Sequence, residues 1–516
     1  MIRTHLHDLV AHGAAATPDA PALTSDDRTL SYAELWDEVR RAASFLLSLG
    51  LVREDRVAVY MEKRIETVVA IFATSLAGGM SVPVNPVLRP AQVEHILVDA
   101  GARFLVTSHQ RLAQLEPALA GSAVEHVLTV GDAGPAPARV RVHEWPRAGA
   151  GVAPPSPGVD LDPAAILYTS GSTGRPKGVV LSHRNLIAGA ESVSSYLGNT
   201  ADDVILSVLP LSFDAGLSQV TTAFAVGAHC VLLNYLLPRD VGRACERFGV
   251  TGITGVPPLW IQLAEVEWPP AAREALRYFA TTGGRMPRPT LDRLRRLFPG
   301  ARPFLMYGLT EAFRSTYLDP AEIDRRPGSI GKAIPDAEVL VLRADGTRCG
   351  PGEEGELVHR GPLVALGYWN DPERTAERFR PMPGTPSWRT PERAVWSGDT
   401  VVADDEGYLF YVGRRDDMIK TSGYRVSPTE VEEAAYATGL VGDAVAVGVD
   451  DAALGQRIVL VASPANGHLE AHSLLAALRR TLPHYMVPAH VDVRERLPRS
   501  PNGKFDRVLI ATEAGS

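Results

Sequence analysis

Cysteine is scarce in this chain. Its 516 residues include three, Cys230, Cys245 and Cys349, an odd and unpatterned set that supports neither a disulfide framework nor a zinc site. Isolated thiols of this kind suit a reducing compartment. Long apolar runs are also missing. No stretch approaches the roughly 18 consecutive apolar residues of a membrane helix, and Met1–Val10 lacks the uninterrupted apolar segment of a signal peptide. A soluble, cytoplasmic protein without membrane insertion is therefore expected. Positive charge is not in excess: 52 Lys and Arg stand against 60 Asp and Glu, a net charge of −8. That balance excludes a protein built to coat nucleic acid and leaves room for a local basic pocket. No internal repeat recurs at solenoid spacing.

What is present is ordinary globular composition, 45% hydrophobic and 22% charged. At about 150 residues per domain, the length suggests about three compact units, or a large one and a small one. Ser31-Tyr-Ala-Glu34 reads as a capping box, and Leu35, Val39, Ala42, Ala43 and Leu46 follow at helical spacing. Arg56–Tyr60 and Phe104–Thr107 read as strands, and Ile65–Ala77 as a helix. Such alternation predicts a parallel sheet covered by helices, continuing to about residue 340. The Pro/Gly/Ala-rich stretch Pro146–Pro163 reads as an exposed connection inside that unit. Val339–Leu342 and Gly355–His359 look antiparallel. After Gly413 the pattern restarts, with a second capping box at Ser427-Pro-Thr-Glu430, a strand at Ile458–Ala462 and a helix at Ser473–Leu482.

The segment richest in chemistry is Ile166-Leu-Tyr-Thr-Ser-Gly-Ser-Thr-Gly-Arg-Pro-Lys-Gly-Val-Val180. An apolar strand enters a loop dense in small polar residues and returns to an apolar strand. Gly171 and Gly174 let backbone N–H groups approach an anion closely. The hydroxyls of Thr169, Ser170, Ser172 and Thr173 add donors, and Lys177 adds a charge, a set suited to a polyphosphate. A Walker A loop is excluded, because Gly174 is followed by Arg175 and Pro176 rather than by Gly-Lys-Ser/Thr.

Tyr168–Gly178 resembles the signature of AMP-forming adenylating enzymes, the superfamily of acyl-CoA synthetases, peptide-synthetase adenylation domains and firefly luciferase. Four further segments resemble that superfamily's motifs in the same order: Tyr307-Gly-Leu-Thr-Glu311, Ser397-Gly-Asp-Thr400, Gly413–Lys420 with Ser422-Gly-Tyr-Arg425, and Pro501-Asn-Gly-Lys504. They span nearly the whole chain. The sequence also looks like stand-alone amino-acid:carrier-protein ligases and ligases encoded with exosortase A systems. The resemblance implies an α/β fold, with a large N-terminal domain of mixed sheets flanked by helices (residues 1–415) and a small mobile α+β C-terminal domain (416–516). It implies ATP and Mg²⁺ as cofactors and two half-reactions: a carboxylate attacks ATP to give an acyl-adenylate and pyrophosphate, then a thiol displaces AMP.

The first step needs no general base, since a carboxylate is already ionised at neutral pH. It needs cations and oriented donors to bring an anion to a polyanion. By resemblance Lys504 is the decisive cation, presented after the turn dipeptide Asn502-Gly503. Glu311, with Thr310 beside it, is the expected magnesium ligand. Tyr307, flanked by Met306 and Gly308, offers a face to adenine, and Gly283-Gly284 allow the base close to the backbone. Asp399 can accept from the ribose hydroxyls and Arg414 can donate to ribose or phosphate. Asp416 resembles the hinge residue, and Lys420 and Gly423 resemble residues used in the thioester-forming orientation.

In amino-acid-activating relatives, a Phe-Asp pair at the place of Phe213-Asp214 holds the substrate ammonium. A carboxylate facing an apolar pocket is costly unless paired. Carried over position by position, the pocket comprises Asp214, Ala215, Ser218, Gly255, Ala280, Thr282, Met306, Arg314, Ser315 and Lys504. Arg314 adds a second charge. Either the substrate carries an acidic side group, or Arg314 points away and pairs with a nearby Asp or Glu. The leading expectation is an ATP-dependent ligase that adenylates an amino acid and loads it onto the phosphopantetheine of a carrier protein. No carrier domain follows Lys504 before Ser516, so a partner in trans, carrier protein or coenzyme A, is expected. An acyl-CoA synthetase for a non-amino carboxylic acid is the alternative, and a silent adenylate-binding or carrier-docking protein is the non-enzymatic one.

Overall fold

Local chemistry starts the fold where the sequence signals it. Ser31 Oγ accepts from the Glu34 N–H and Glu34 reaches back to the Ser31 N–H, capping the helix Tyr32–Ser48. The apolar stripe of that helix, with Leu35, Val39 and Leu46 buried, packs on the helix Ile65–Leu76. The computed structural model describes residues 3–131, 137, 139–146, 158–169, 176–284, 286, 288–414, 418–465, 467–498 and 505–515. Among them run three sheets.

The first has eight strands. Arg56–Tyr60, Met80–Pro83, Phe104–Ser108, His126–Val130 and Arg141–Glu144 are parallel, and Pro163–Thr169 joins parallel to Met80–Pro83. Strands on either side of the Pro/Gly/Ala-rich connection therefore share one sheet. Lys177–Ser182 and the two-residue strand Gly367–Tyr368 complete its other edge in antiparallel pairing.

The second sheet has fourteen strands. Its parallel part comprises Pro21–Ser25, His229–Leu232, Val204–Ser207, Gly252–Gly255, Tyr278–Thr281 and Arg302–Tyr307. Leu35, Phe72, Leu167, Phe224 and Phe304 belong to one core shared by both sheets. The alternation expected to reach about residue 340 stops earlier. Arg302–Tyr307, Thr316–Leu318 and Ser329–Ala333 pair antiparallel in succession. The single turn of 3₁₀ helix at Thr310–Ala312 is too short for a parallel crossover. Val339–Leu342 and Gly355–His359 pair antiparallel as expected.

The last hundred residues form a smaller five-stranded sheet. The helices Pro428–Ala437 and Ala471–Thr481 supply Val431, Leu474 and Leu478 to its core, while Ile510 belongs to a separate core cluster with Val445 and Val461. Here the second capping box does not form. Ser427 is the N-cap but makes no side-chain cap bond; Glu430 instead accepts from the Gln92 amide at 3.3 Å. Burial at a contact between the two units has displaced the local bond. The fold is thus mixed α/β, a large N-terminal domain with a small C-terminal one. Among the described residues no helix is long and apolar enough to cross a membrane. All three cysteines are free, two of them buried.

Candidate active site

The carboxyl ends of strands Gly252–Gly255, Tyr278–Thr281 and Arg302–Tyr307 open onto one cavity, where open α/β sheets bind ligands. Val256, Thr282, Gly283 and Gly308, the residues just past these strands, line it together with Thr169, Phe213, Asp214, Ala215, Thr310 and Arg314. Its volume is about 160 Å³.

At the phosphate end, Thr169 and Lys177 face each other across an antiparallel pair, so the glycine-rich segment connects two strands. Ser170, Gly171, Ser172, Thr173 and Gly174 themselves lie outside the described residues, as do Asp416 and Lys504. Thr169 Oγ1 is buried without a partner among the described residues. Lys177 Nζ donates to the Tyr368 hydroxyl at 2.8 Å and lies 3.3 Å from Glu311 Oε1. The Tyr368 hydroxyl donates to Glu311 Oε1 at 2.7 Å. Burial alone would raise the Glu311 pKa. The Lys177 and Arg425 charges and the tyrosine donor outweigh it and hold the carboxyl at about 2. Burial depresses the Lys177 ammonium, and Glu311 opposes that shift. Neither Tyr368 nor Arg425 received a role from the sequence. Tyr368 reaches Lys177 only because Gly367–Tyr368 adds to the strand Lys177–Ser182.

On the nucleotide side, the Tyr307 hydroxyl donates to Asp399 Oδ2 at 2.5 Å. Burial, then the Asp399 charge, pushes the phenol well above its ordinary range. Asp399 and Arg414 sit opposite each other on neighbouring strands. Gly283 and Gly284 form an exposed turn, and Gly283 adopts φ +78°. Lys420 Nζ donates to the Tyr411 hydroxyl at 3.2 Å; burial depresses its pKa and the Asp399 charge opposes this. Met306 is buried, its sulfur 2.9 Å from the Tyr196 hydroxyl.

On the acyl side, Asp214 opens the helix Asp214–Ala225. The turn before it is tight: a Cβ on Gly216 would lie 1.9 Å from the Pro210 carbonyl oxygen. Arg314 Nη1 donates to Asp214 Oδ2 at 3.0 Å. Arg314 does pair with a nearby acid, but it stays in the cavity lining, and the acid is Asp214 itself. Ser218, Gly255 and Ser315 are buried within the surrounding elements. Ser218 Oγ lies 3.4 Å from Thr222 Oγ1, Gly255 abuts Trp260, and Ser315 Oγ lies 2.9 Å from His359 Nδ1. Ala280 is buried in its strand.

The small unit completes the wall. Its hairpin, Ile419–Thr421 and Tyr424–Val426, sends Gly423, Tyr424 and Arg425 into the cavity lining beside Glu430, Tyr485 and Met486. Tyr424 stacks on Tyr485 with ring centroids 3.6 Å apart. Burial pushes the Glu430 carboxyl up to about 7, with the Gln92 amide opposing and Glu433 adding to the rise. Released to water, a glutamate titrates near about 4.3. The raised pKa means that this contact is fully favourable below the solvated value, weakens as pH rises, and has lost its advantage above about 7. Glu430→Gln is expected to flatten that dependence and to increase docking at about pH 8, read as the distance between labels on the two units. An unchanged pH profile would contradict this reading.

Two family models match the chain. Residues 10–369 match the AMP-binding enzyme model and residues 430–504 the AMP-binding enzyme C-terminal domain model. The chain belongs to the AMP-binding enzyme family, and it is an AMP-forming acid–thiol ligase. It is 33% identical to a feruloyl-CoA synthase of Amycolatopsis sp over 95% of each chain. It is 30% identical to a long-chain-fatty-acid–CoA ligase of Salmonella typhimurium, over 99% of this chain and 94% of that one. One of the plipastatin synthase subunits of Bacillus subtilis is 31% identical over 99% of this chain, which spans 19% of that protein. Among solved structures, o-succinylbenzoate CoA synthetase (MenE) of Bacillus subtilis appears in more than one state. A double mutant bound to a CoA product analogue superposes with a TM-score of 0.84 at 27% identity, covering 97% of each chain. The same enzyme with ATP and magnesium gives 0.68 at 28% identity, covering 97% and 98%.

Proposed function

We propose that the acid activated here is an amino acid, and that the acceptor is the phosphopantetheine thiol of a separate carrier protein. The observation that carries the first half is Asp214. Its carboxylate retains 18% side-chain exposure and lines the same cavity as the phosphate-end residues Thr169 and Thr310. A fatty or aromatic acid has no use for a carboxylate there; an ammonium has. The similarity to a component of plipastatin synthase supports a carrier-borne acceptor. Glu311 suits Mg²⁺: it is ionised, Thr310 precedes it in the same turn, and Mg²⁺ prefers one or two carboxylates together with phosphate oxygens. Bound there, the ion would neutralise phosphate charge. Among the described residues no group of three or more His, Cys, Asp or Glu could hold a metal without such help. ATP–pyrophosphate exchange over a panel of amino acids and simple acids tests the proposal, and exchange stimulated only by acids lacking an amine would refute it.

A second reading, an acyl-CoA synthetase for a non-amino acid, is favoured by one observation. Arg314 already neutralises Asp214, so the pocket is balanced without an ammonium. Product thioesters formed with CoA and with a purified holo-carrier protein, followed by mass spectrometry, separate the acceptors.

A further inference from the structure

The acyl wall holds a guanidinium that neither half-reaction requires. Arg314 is 2% exposed, more enclosed than the carboxylate it meets. One of its donors, Nη1, serves Asp214. Another, Nε, is buried with no partner among the described residues. Ser212, which lines the same cavity, likewise has a buried hydroxyl without a partner among them. Buried donors are ordinarily satisfied, and a native exception calls for a ligand or another specific cause.

The backbone is shaped to keep Arg314 in place. Phe313, immediately before it, adopts φ +54° and ψ −31°, a positive-φ conformation that is strained for a bulky residue and of a kind that concentrates at functional sites. The Phe313 ring fills the space beside Gly189, where a Cβ would lie 2.3 Å from it. A Cβ on Gly308 would lie 3.0 Å from the Arg314 Cα. One strained residue and two glycines thus accommodate the backbone turn that carries Arg314.

Charge matching indicates what this side chain receives. The Asp214–Arg314 pair is neutral. A ligand adding only an ammonium would leave two cations sharing one carboxylate. A ligand adding only a carboxylate would leave two anions sharing one guanidinium. Like charges at such range repel strongly away from water. A ligand that adds one of each sign leaves every charge beside its opposite. The reacting carboxylate is committed to the phosphate end, so both additional charges must come from the rest of the molecule. Resting on the amino-acid reading above, we propose that the substrate is a small acidic α-amino acid. Its ammonium meets Asp214, and its side-group carboxylate meets the guanidinium of Arg314, which lines the same cavity. Arg314 is then the residue that sets specificity.

The test is pyrophosphate exchange with aspartate, glutamate, asparagine, alanine, leucine, succinate and glutarate. Aspartate or glutamate is expected to exceed asparagine, alanine and leucine, and also both diacids, by at least about a hundredfold in kcat/KM; a site built to hydrogen-bond a polar group rejects analogues lacking it by up to about 10⁴–10⁵. In Arg314→Met that advantage over alanine should fall below about tenfold with KM for ATP nearly unchanged, and Arg314→Lys should recover part of it. Because Arg314→Met strands Asp214, the double variant Asp214→Asn with Arg314→Met is measured beside it. The unaltered protein supplies a readout that needs no variant: at equal concentration aspartate or glutamate should raise its Tm more than alanine does. Exchange strongest with a neutral amino acid, or equal Tm shifts, overturns the inference and leaves amino-acid activation standing. Exchange restricted to the diacids overturns amino-acid activation itself, and the inference with it.

Discussion

Glu311→Gln is expected to lower kcat for ATP–pyrophosphate exchange by about a hundredfold to a thousandfold, the range for removing one preorganised electrostatic contact. The residue is 5% exposed and ionised, with a carboxyl held at about 2. Glutamine preserves its size and can still accept from Tyr368, so what the substitution removes is one negative charge. Two consequences follow. A divalent cation bridging to phosphate would lose its protein carboxylate, and Lys177 would be left with its Nζ beside a neutral amide in an enclosed site. Taking away one partner of a buried pair costs about 3–5 kcal/mol; Lys177 retains 15% side-chain exposure, so about 2–3 kcal/mol is expected here, read from urea unfolding. The depressed pKa sets the sign of the pH dependence. The Glu311 contribution is fully present above the ordinary glutamate range and is lost as pH falls through about 2. The glutamine variant should lack that acid limb. Exchange within about tenfold of the parent would show that the charge is structural and not part of the phosphate machinery.

How much of this was legible in the sequence depended on whether the determining contact was local. The box at Ser31–Glu34 formed as read because both of its bonds close within one turn. The same pattern at Ser427–Glu430 did not form, because Glu430 finds Gln92, 338 positions away, on the other unit. Asp214 and Arg314 were both legible as pocket residues. That they meet each other was not, since they are 100 positions apart and no spacing rule joins them. Tyr368 was invisible for the same reason: it sits in a two-residue strand with no motif around it, and becomes part of the site only through a pairing with Lys177, 191 positions away. The order of the five motifs announced the family and the two-domain fold. The charge balance of the acyl pocket could not be read until the chain was folded.

Gly423→Val is expected to abolish transfer to the thiol, a loss of at least about a hundredfold, while pyrophosphate exchange stays within a few-fold of the parent. Gly423 has φ +81° and lies in the cavity wall. A β-branched residue is a poor fit to that backbone conformation. Space is equally decisive. A Cβ at this position would lie 2.8 Å from the Val256 Cβ and Cγ2, so even alanine would press the hairpin against the large unit, and valine adds two further carbons. The contact therefore belongs to an arrangement that only a residue without a side chain permits. That arrangement superposes better on the MenE complex with a CoA product analogue than on the one with ATP and magnesium, 0.84 against 0.68. If it serves the thiol step, blocking it leaves the adenylation step free to use a different placement of the small unit. Lys504→Ala should show the mirror result: exchange falls, and transfer from a supplied acyl-adenylate persists. Both activities are needed, because a folding defect in Gly423→Val would lower the two together, whereas a blocked docking surface lowers one. Equal loss of exchange and transfer in a variant with the parent's Tm would mean that a single arrangement of the two units performs both steps.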